Sequence, residues 1–109
     1  MFRQSVALLF VLACGLAVPA GAEEVGGGDI VYEVKRVGNV LFSHDTHVTT
    51  LAIDCKGCHP AIFPEDRSEA KRATMAEMRR HVSCGVCHNG KNAFDTKENC
   101  YVCHVKEKK

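Results

Sequence analysis

Cys55-Lys56-Gly57-Cys58-His59, Cys84-Gly85-Val86-Cys87-His88 and Cys100-Tyr101-Val102-Cys103-His104 are one five-residue pattern written three times in a chain of 109 residues. Each joins two thiols, one helical turn apart, to an adjacent imidazole. This is the c-type haem attachment motif. The thiols can add to the two vinyl groups along one edge of the macrocycle, and the histidine then lies under the iron as its proximal ligand. Two plainer patterns compete. A disulfide framework would use six cysteines, but it gives no reason for a histidine after every second one. With 6 histidines in 109 residues, three such coincidences have a chance on the order of 2 in 10,000. A zinc ribbon needs two CxxC pairs at longer separation and leaves the third pair idle. The triplet therefore predicts three covalent haems, on Cys55/Cys58, Cys84/Cys87 and Cys100/Cys103, with His59, His88 and His104 as proximal ligands.

Three histidines remain, His44, His47 and His81, and three haems leave three axial positions open. Six imidazoles for six positions makes bis-histidine ligation the simplest assignment. His44 and His47 stand three apart, so on a helical turn they share a face and cannot approach one iron from opposite sides. They are expected to serve two different haems. His81, Cys84 and His88 would lie along one face of a continuing helix, with His81 about 10 Å from His88. His81 is thus expected to cap a haem other than the one on Cys84 and Cys87.

Upstream of the motifs, Arg3, the apolar run Val6 to Leu16 and the small-x-small site Ala20-Gly21-Ala22 read as an export signal over residues 1–22, with the mature domain at 23–109. The run is shorter than the roughly 20 residues that span a bilayer. Val11-Leu12-Ala13-Cys14 comes close to a lipobox, so lipidation of Cys14 is the alternative fate of this segment. Removing residues 1–22 takes away Arg3 and no acidic residue. That leaves 13 Lys+Arg against 13 Asp+Glu, with no basic footprint for nucleic acid. So short a chain buries a marginal apolar core, and bound groups are expected to complete it. Each haem brings two propionates, so the holoprotein is expected to be acidic, with Lys106, Lys108 and Lys109 as a small basic tail able to steer an acidic partner toward the third motif.

The remaining chain reads as scaffolding. Glu23 to Gly28 is an acidic, glycine-rich lead expected to be mobile. Ile30–Val37 and Val40–Phe42 alternate around Gly38-Asn39, which reads as a two-residue turn of a β-hairpin. Pro60 and Pro64 bracket an apolar turn, Ala61-Ile62-Phe63, and Asn89-Gly90 marks another. Glu65 to Arg72 is a mixed-charge stretch read as a solvated loop or frayed helix. Thr74-Met75-Ala76-Glu77 is a capping box, predicting a short helix from Met75 to about Val82. The fold class is therefore small, mostly irregular and α, with an N-terminal two-stranded β-hairpin and the polypeptide wrapped around three haems.

In order, the hairpin Asp29-Ile30-Val31, the HxxH of Phe42-Ser43-His44-Asp45-Thr46-His47, a CxxCH, a lone histidine and two more CxxCH motifs resemble the trihaem cytochrome c7 family of the class III, cytochrome c3-like multihaem cytochromes. The resemblance implies axial pairs His44 with His59, His47 with His88, and His81 with His104. It departs in two places. The His59–Cys84 insert is longer and more charged than in the smallest members. His81 stands one residue closer to Cys84 than the pattern leads one to expect, which leaves Met78 or Met75 as an alternative ligand for the third haem. Saturated irons exchange single electrons and bind no substrate, and histidine pairs give lower potentials than His/Met pairs. The resemblance thus implies a periplasmic, low-potential electron carrier of anaerobic respiration passing electrons toward metal or extracellular acceptors. Its expected partners are inner-membrane or periplasmic donors and outer-membrane cytochrome acceptors, and the chain is expected to act as a monomer. The rivals are a haem-dependent reductase with one open axial site and a subunit of a haem wire.

Overall fold

The computed structural model describes residues 15, 17 and 20–107. Arg3, Cys14, Lys108 and Lys109, and with them most of the 1–22 segment, lie outside the described residues. Regular structure is sparse. Strands β1 (Ile30–Tyr32), β2 (Asn39–Phe42) and β3 (His104–Val105) form one antiparallel sheet in that order, and two single-turn helices, α1 (Met75–Met78) and α2 (Cys100–Cys103), lie outside it. Among the described residues no helix is long and apolar enough to cross a membrane.

The hairpin forms, but not around the expected turn. Tyr32 pairs with Val40, Val31 with Leu41 and Ile30 with Phe42, so Asn39 belongs to β2 and residues 33–38 make the connection. The Asn39 side-chain carbonyl accepts from the Val34 N–H at 2.9 Å and closes that loop. Gly38 has a different task. Its φ of +107° is one that L side chains rarely adopt, and a Cβ there would sit 2.5 Å from the Val105 carbonyl oxygen. The glycine is spent on the close approach of a third strand. That strand, His104–Val105, is too short to carry a sequence pattern, and it corrects the expected two-stranded hairpin to a three-stranded sheet.

Register then sorts the side chains. Ile30, Tyr32, Val40, Phe42 and His104 share one face and are half-buried. Val31, Leu41 and Val105 occupy the other face and are 50–59% exposed. Among the described residues Gly85 alone is buried, and no hydrophobic side chain reaches that class. The described residues make no apolar core of their own.

The capping box is present in full. Thr74 accepts from the Glu77 N–H at 3.2 Å, and the Glu77 carboxylate accepts from the Thr74 N–H at 2.8 Å, which holds that carboxyl below the usual range. The helix nevertheless ends at Met78, not near Val82. His81 and Ser83 take left-handed conformations, φ +66° and +57°, which reverse the chain before a 3-10 turn at Ser83–Val86. A side chain at Gly85 would overlap the Met78 carbonyl, so the chain doubles back directly onto α1. The continuous helical face through His81, Cys84 and His88 does not exist.

The lead forms a turn too. Val25–Gly27 forms a 3-10 turn that packs on the segment after β2, where Asp45–Thr50 makes a π-type helical turn. Arg67–Glu69 is a further 3-10 turn, capped by Asp66. Arg72 donates to the Glu33 carbonyl at 2.8 Å, tying the charged insert to the hairpin loop.

Gly38→Ala should therefore cost the holoprotein about 1–3 kcal/mol through its positive φ alone, with the β3 clash added. Gly90→Ala, at φ +84° but with its nearest neighbour 3.6 Å away, should cost less. Paired denaturant midpoints check the order.

Candidate haem-binding site

All three CxxCH segments fold alike. The histidine N–H of each bonds the carbonyl of the first cysteine: His59 to Cys55 at 2.9 Å, His88 to Cys84 at 2.9 Å, and His104 to Cys100. Each motif is thus one helical turn, which sets the two thiols of a pair on one side of it. The six cysteines are free thiols. Among the described residues no three His, Cys, Asp or Glu side chains converge as a zinc site requires.

The motifs lie close together. Burial pushes the Cys58 thiol up, and the neighbouring Cys87, Cys84 and Cys55 add to it. Burial likewise raises Cys103, followed by Cys84 and Cys100. Tyr32, on the inner sheet face, is raised by burial and then by Cys84, against the opposing pull of Arg67 and Arg72. Cys84 is common to all three, so the second motif sits at the centre.

The histidines share one property that no sequence pattern announces. Every ring nitrogen Nδ1 faces a backbone carbonyl: His44 that of Gly28 at 2.6 Å, His47 that of Ser43 at 2.9 Å, and His59 that of Phe63 at 2.8 Å. His81 faces Gly85 at 3.4 Å, His88 faces Phe94 at 2.9 Å and His104 faces Gly38 at 2.9 Å. A carbonyl oxygen only accepts, so Nδ1 carries the proton and the Nε2 lone pair is free to bind a metal. Such a bond fixes the orientation of a histidine that ligates metal through its other nitrogen. The predicted turns supply it. The Pro60–Pro64 turn brings Phe63 back to His59, and the Asn89-Gly90 turn, closed by Ala93 N–H on the Cys87 carbonyl, brings Phe94 back to His88.

Of the expected axial partners, His47 and His88 are brought ring to ring, with centroids 6.3 Å apart and planes at 69°. His47 and His88 are thus the two histidines placed to hold one metal ion between them, were one bound. For His44 with His59 and His81 with His104, no ring contact occurs among the described residues. Phe42 lies between the two histidines of HxxH, its ring centre 4.9 Å from His44 and 4.6 Å from His47. The sequence reading passed over it, although its place two residues before His44 on the inner strand face was the available signal. His81 and His88 line one small cavity of about 90 Å³ together with Met78, Asn89 and Asp95. Met75 and Met78 are half-buried on α1, whereas His81 is exposed.

The family model of cytochrome c7 and related cytochrome c matches residues 40–105. A solved c7-type three-haem cytochrome domain is 39% identical with a TM-score of 0.63, over 70% of this chain and 90% of that one. The C-terminal hexahaem fragment of GSU1996 is 39% identical with a TM-score of 0.62, over 70% of this chain and 46% of the fragment. The dodecahaem cytochrome c GSU1996 is 36% identical with a TM-score of 0.60, over 70% of this chain and 24% of that one. This chain thus spans about half of the six-haem fragment and a quarter of the twelve-haem chain. No curated protein matches. From β2 through the third motif, the chain belongs to the cytochrome c7 family, whose members are electron-transfer proteins carrying three covalent c-type haems.

Proposed function

We propose that this chain is a periplasmic, low-potential one-electron carrier in which both axial positions of all three haems are filled by its own histidines. The observation that carries the reading is the common state of the six imidazoles, each with Nδ1 bonded to a carbonyl and Nε2 free. Cys55/Cys58, Cys84/Cys87 and Cys100/Cys103 hold the three groups by thioethers. His59, His88 and His104 are the proximal ligands, and His44, His47 and His81 cap the opposite faces in the pairs His44/His59, His47/His88 and His81/His104. The 6.3 Å separation of His47 and His88 supports the middle pair. Haem supplies an iron that changes its charge by one unit without bonds being made or broken.

The rest is done by the polypeptide. The histidines exclude water and small ligands from the iron. Their Nδ1 bonds hold each ring in one orientation before and after the electron moves, which keeps reorganisation small. Ile30, Val40 and Phe42, with Ile62 and Phe63, offer the half-buried apolar surface on which large planar groups pack. Export to the periplasm is supported by the reading of residues 1–22, and reduction by inner-membrane or periplasmic donors with delivery to outer-membrane acceptors by the low potential of histidine pairs. Metal or extracellular terminal acceptors in anaerobic respiration are part of this proposal and rest on the likeness to the cytochrome c7 family.

One observation favours a second ligand for the third haem. His81 has the longest Nδ1 bond of the six, 3.4 Å, a left-handed backbone and an exposed ring. Met78 is half-buried and lines the same cavity as His81 and His88. Thioether ligation there would raise the potential of one haem.

Three outcomes test the reading. Reduced wild-type holoprotein should bind no carbon monoxide, whereas His44→Ala and His47→Ala should each bind about one per molecule, at different haems. Wild type that takes up carbon monoxide points to the reductase instead. For the third haem, His81→Ala and Met78→Ala are compared by the same titration, and the ligand is the residue whose loss opens a site. Replacing both Cys84 and Cys87 by Ala should remove one haem by intact mass and lower stability more than the corresponding change at Cys100 and Cys103, because Cys84 lies among the other motifs. Equal losses would contradict that central placement.

A further inference from the structure

Of the six histidines, His44 is held by the shortest Nδ1 bond, and the acceptor lies sixteen residues upstream, in the glycine-rich lead. Gly26, Gly27 and Gly28 stand consecutively at φ +63°, +80° and +95°. Such a run bends the backbone back on itself, a path open to glycine alone over three successive residues. At Gly26 the bend presses on the imidazole. A Cβ there would lie 2.6 Å from Cδ2, 2.7 Å from Cγ and 3.0 Å from Nε2 of His44. The Gly28 carbonyl accepts a hydrogen bond from the His44 Nδ1–H, and the Phe42 ring meets the imidazole at 84° with centroids 4.9 Å apart. Behind the turn, the Glu24 side chain rests on Gly28, where a Cβ would overlap its carboxylate. Backbone bonds from Gly27 N–H to the Glu24 carbonyl and from Gly28 N–H to the Val25 carbonyl close it.

We infer that the Glu24–Gly28 turn is a positioning clamp for His44, in which Gly26 seats the imidazole face and the Gly28 carbonyl sets its rotation, so that these residues tune the first haem through its distal ligand. The inference rests on the reading of His44 as an axial ligand. The clamp touches the ring and not the iron, so its signature is a change confined to one haem. Ring rotation alters the overlap of Nε2 with the metal, and with it the potential and spectrum of that haem alone.

Gly26→Ala and Gly27→Ala separate the clamp from simple backbone strain. Both place a Cβ on a left-handed residue, but only Gly26 faces His44, since Gly27 has nothing within 4 Å. In holoprotein with three haems by mass, Gly26→Ala should shift the midpoint and the paramagnetic NMR signals of one haem, the same one opened by His44→Ala, and leave the other two unchanged. Gly27→Ala should leave all three as in wild type. Identical behaviour of the two variants overturns the clamp. Should Gly26→Ala not mature with three haems, Glu24→Ala decides, with a shift at the same haem expected and three wild-type spectra overturning the inference. His44→Ala keeps the two ideas apart. If it leaves every haem six-coordinate, the ligand assignment falls and the clamp with it. If it opens one haem while the glycine variants match, the clamp alone falls.

Discussion

A hydrogen bond from imidazole Nδ1 to a backbone carbonyl recurs at all six histidines, and much of the described chain is arranged to provide those carbonyls. Gly28 sits in the N-terminal turn, Gly38 in the hairpin loop, Ser43 after β2, Phe63 and Phe94 in the turns that follow the first two motifs, and Gly85 inside the second. Each acceptor fixes one tautomer and one ring orientation, leaving Nε2 as the free donor atom. A chain with so little regular secondary structure can then place six ligands, because each ring is referenced to backbone nearby and not to a rigid helix or sheet.

The same economy explains the burial pattern. No hydrophobic side chain among the described residues is buried, and the inner sheet face and the two proline- and glycine-marked turns are only half-covered. A chain of 109 residues gains little from an apolar core of its own. Three covalent planar groups of the kind the family carries would supply the missing contact area and link distant segments. Stability and ligation are therefore coupled, so loss of one group is felt by strands and turns that also serve the other two.

The chemistry was largely legible in the chain, since CxxCH is local: its two thiols and its histidine lie within one helical turn, and all three copies fold that way. Turns at Pro60–Pro64 and Asn89-Gly90 and the Thr74 capping box were legible for the same reason. Longer-range features were not. Gly38-Asn39 has the composition of a two-residue turn, but tertiary contact with Val105 claims the glycine and pairing claims the asparagine. The helix expected through Val82 stops at Met78 because His81 and Ser83 adopt left-handed conformations that helical periodicity does not encode. Glu23–Gly28 has the composition of a mobile lead, and the contact of its turn with His44 is invisible in a local window. Phe42 was within reach as a strand residue, but its place between two ligands was not.

Near-infrared magnetic circular dichroism of the ferric holoprotein reports the ligand pair at each iron and so addresses the central claim directly. Ligation by the six histidines predicts bis-imidazole low-spin haem alone, with an intensity that accounts for all three irons. A high-spin component, or a methionine–imidazole component at any iron, would contradict it.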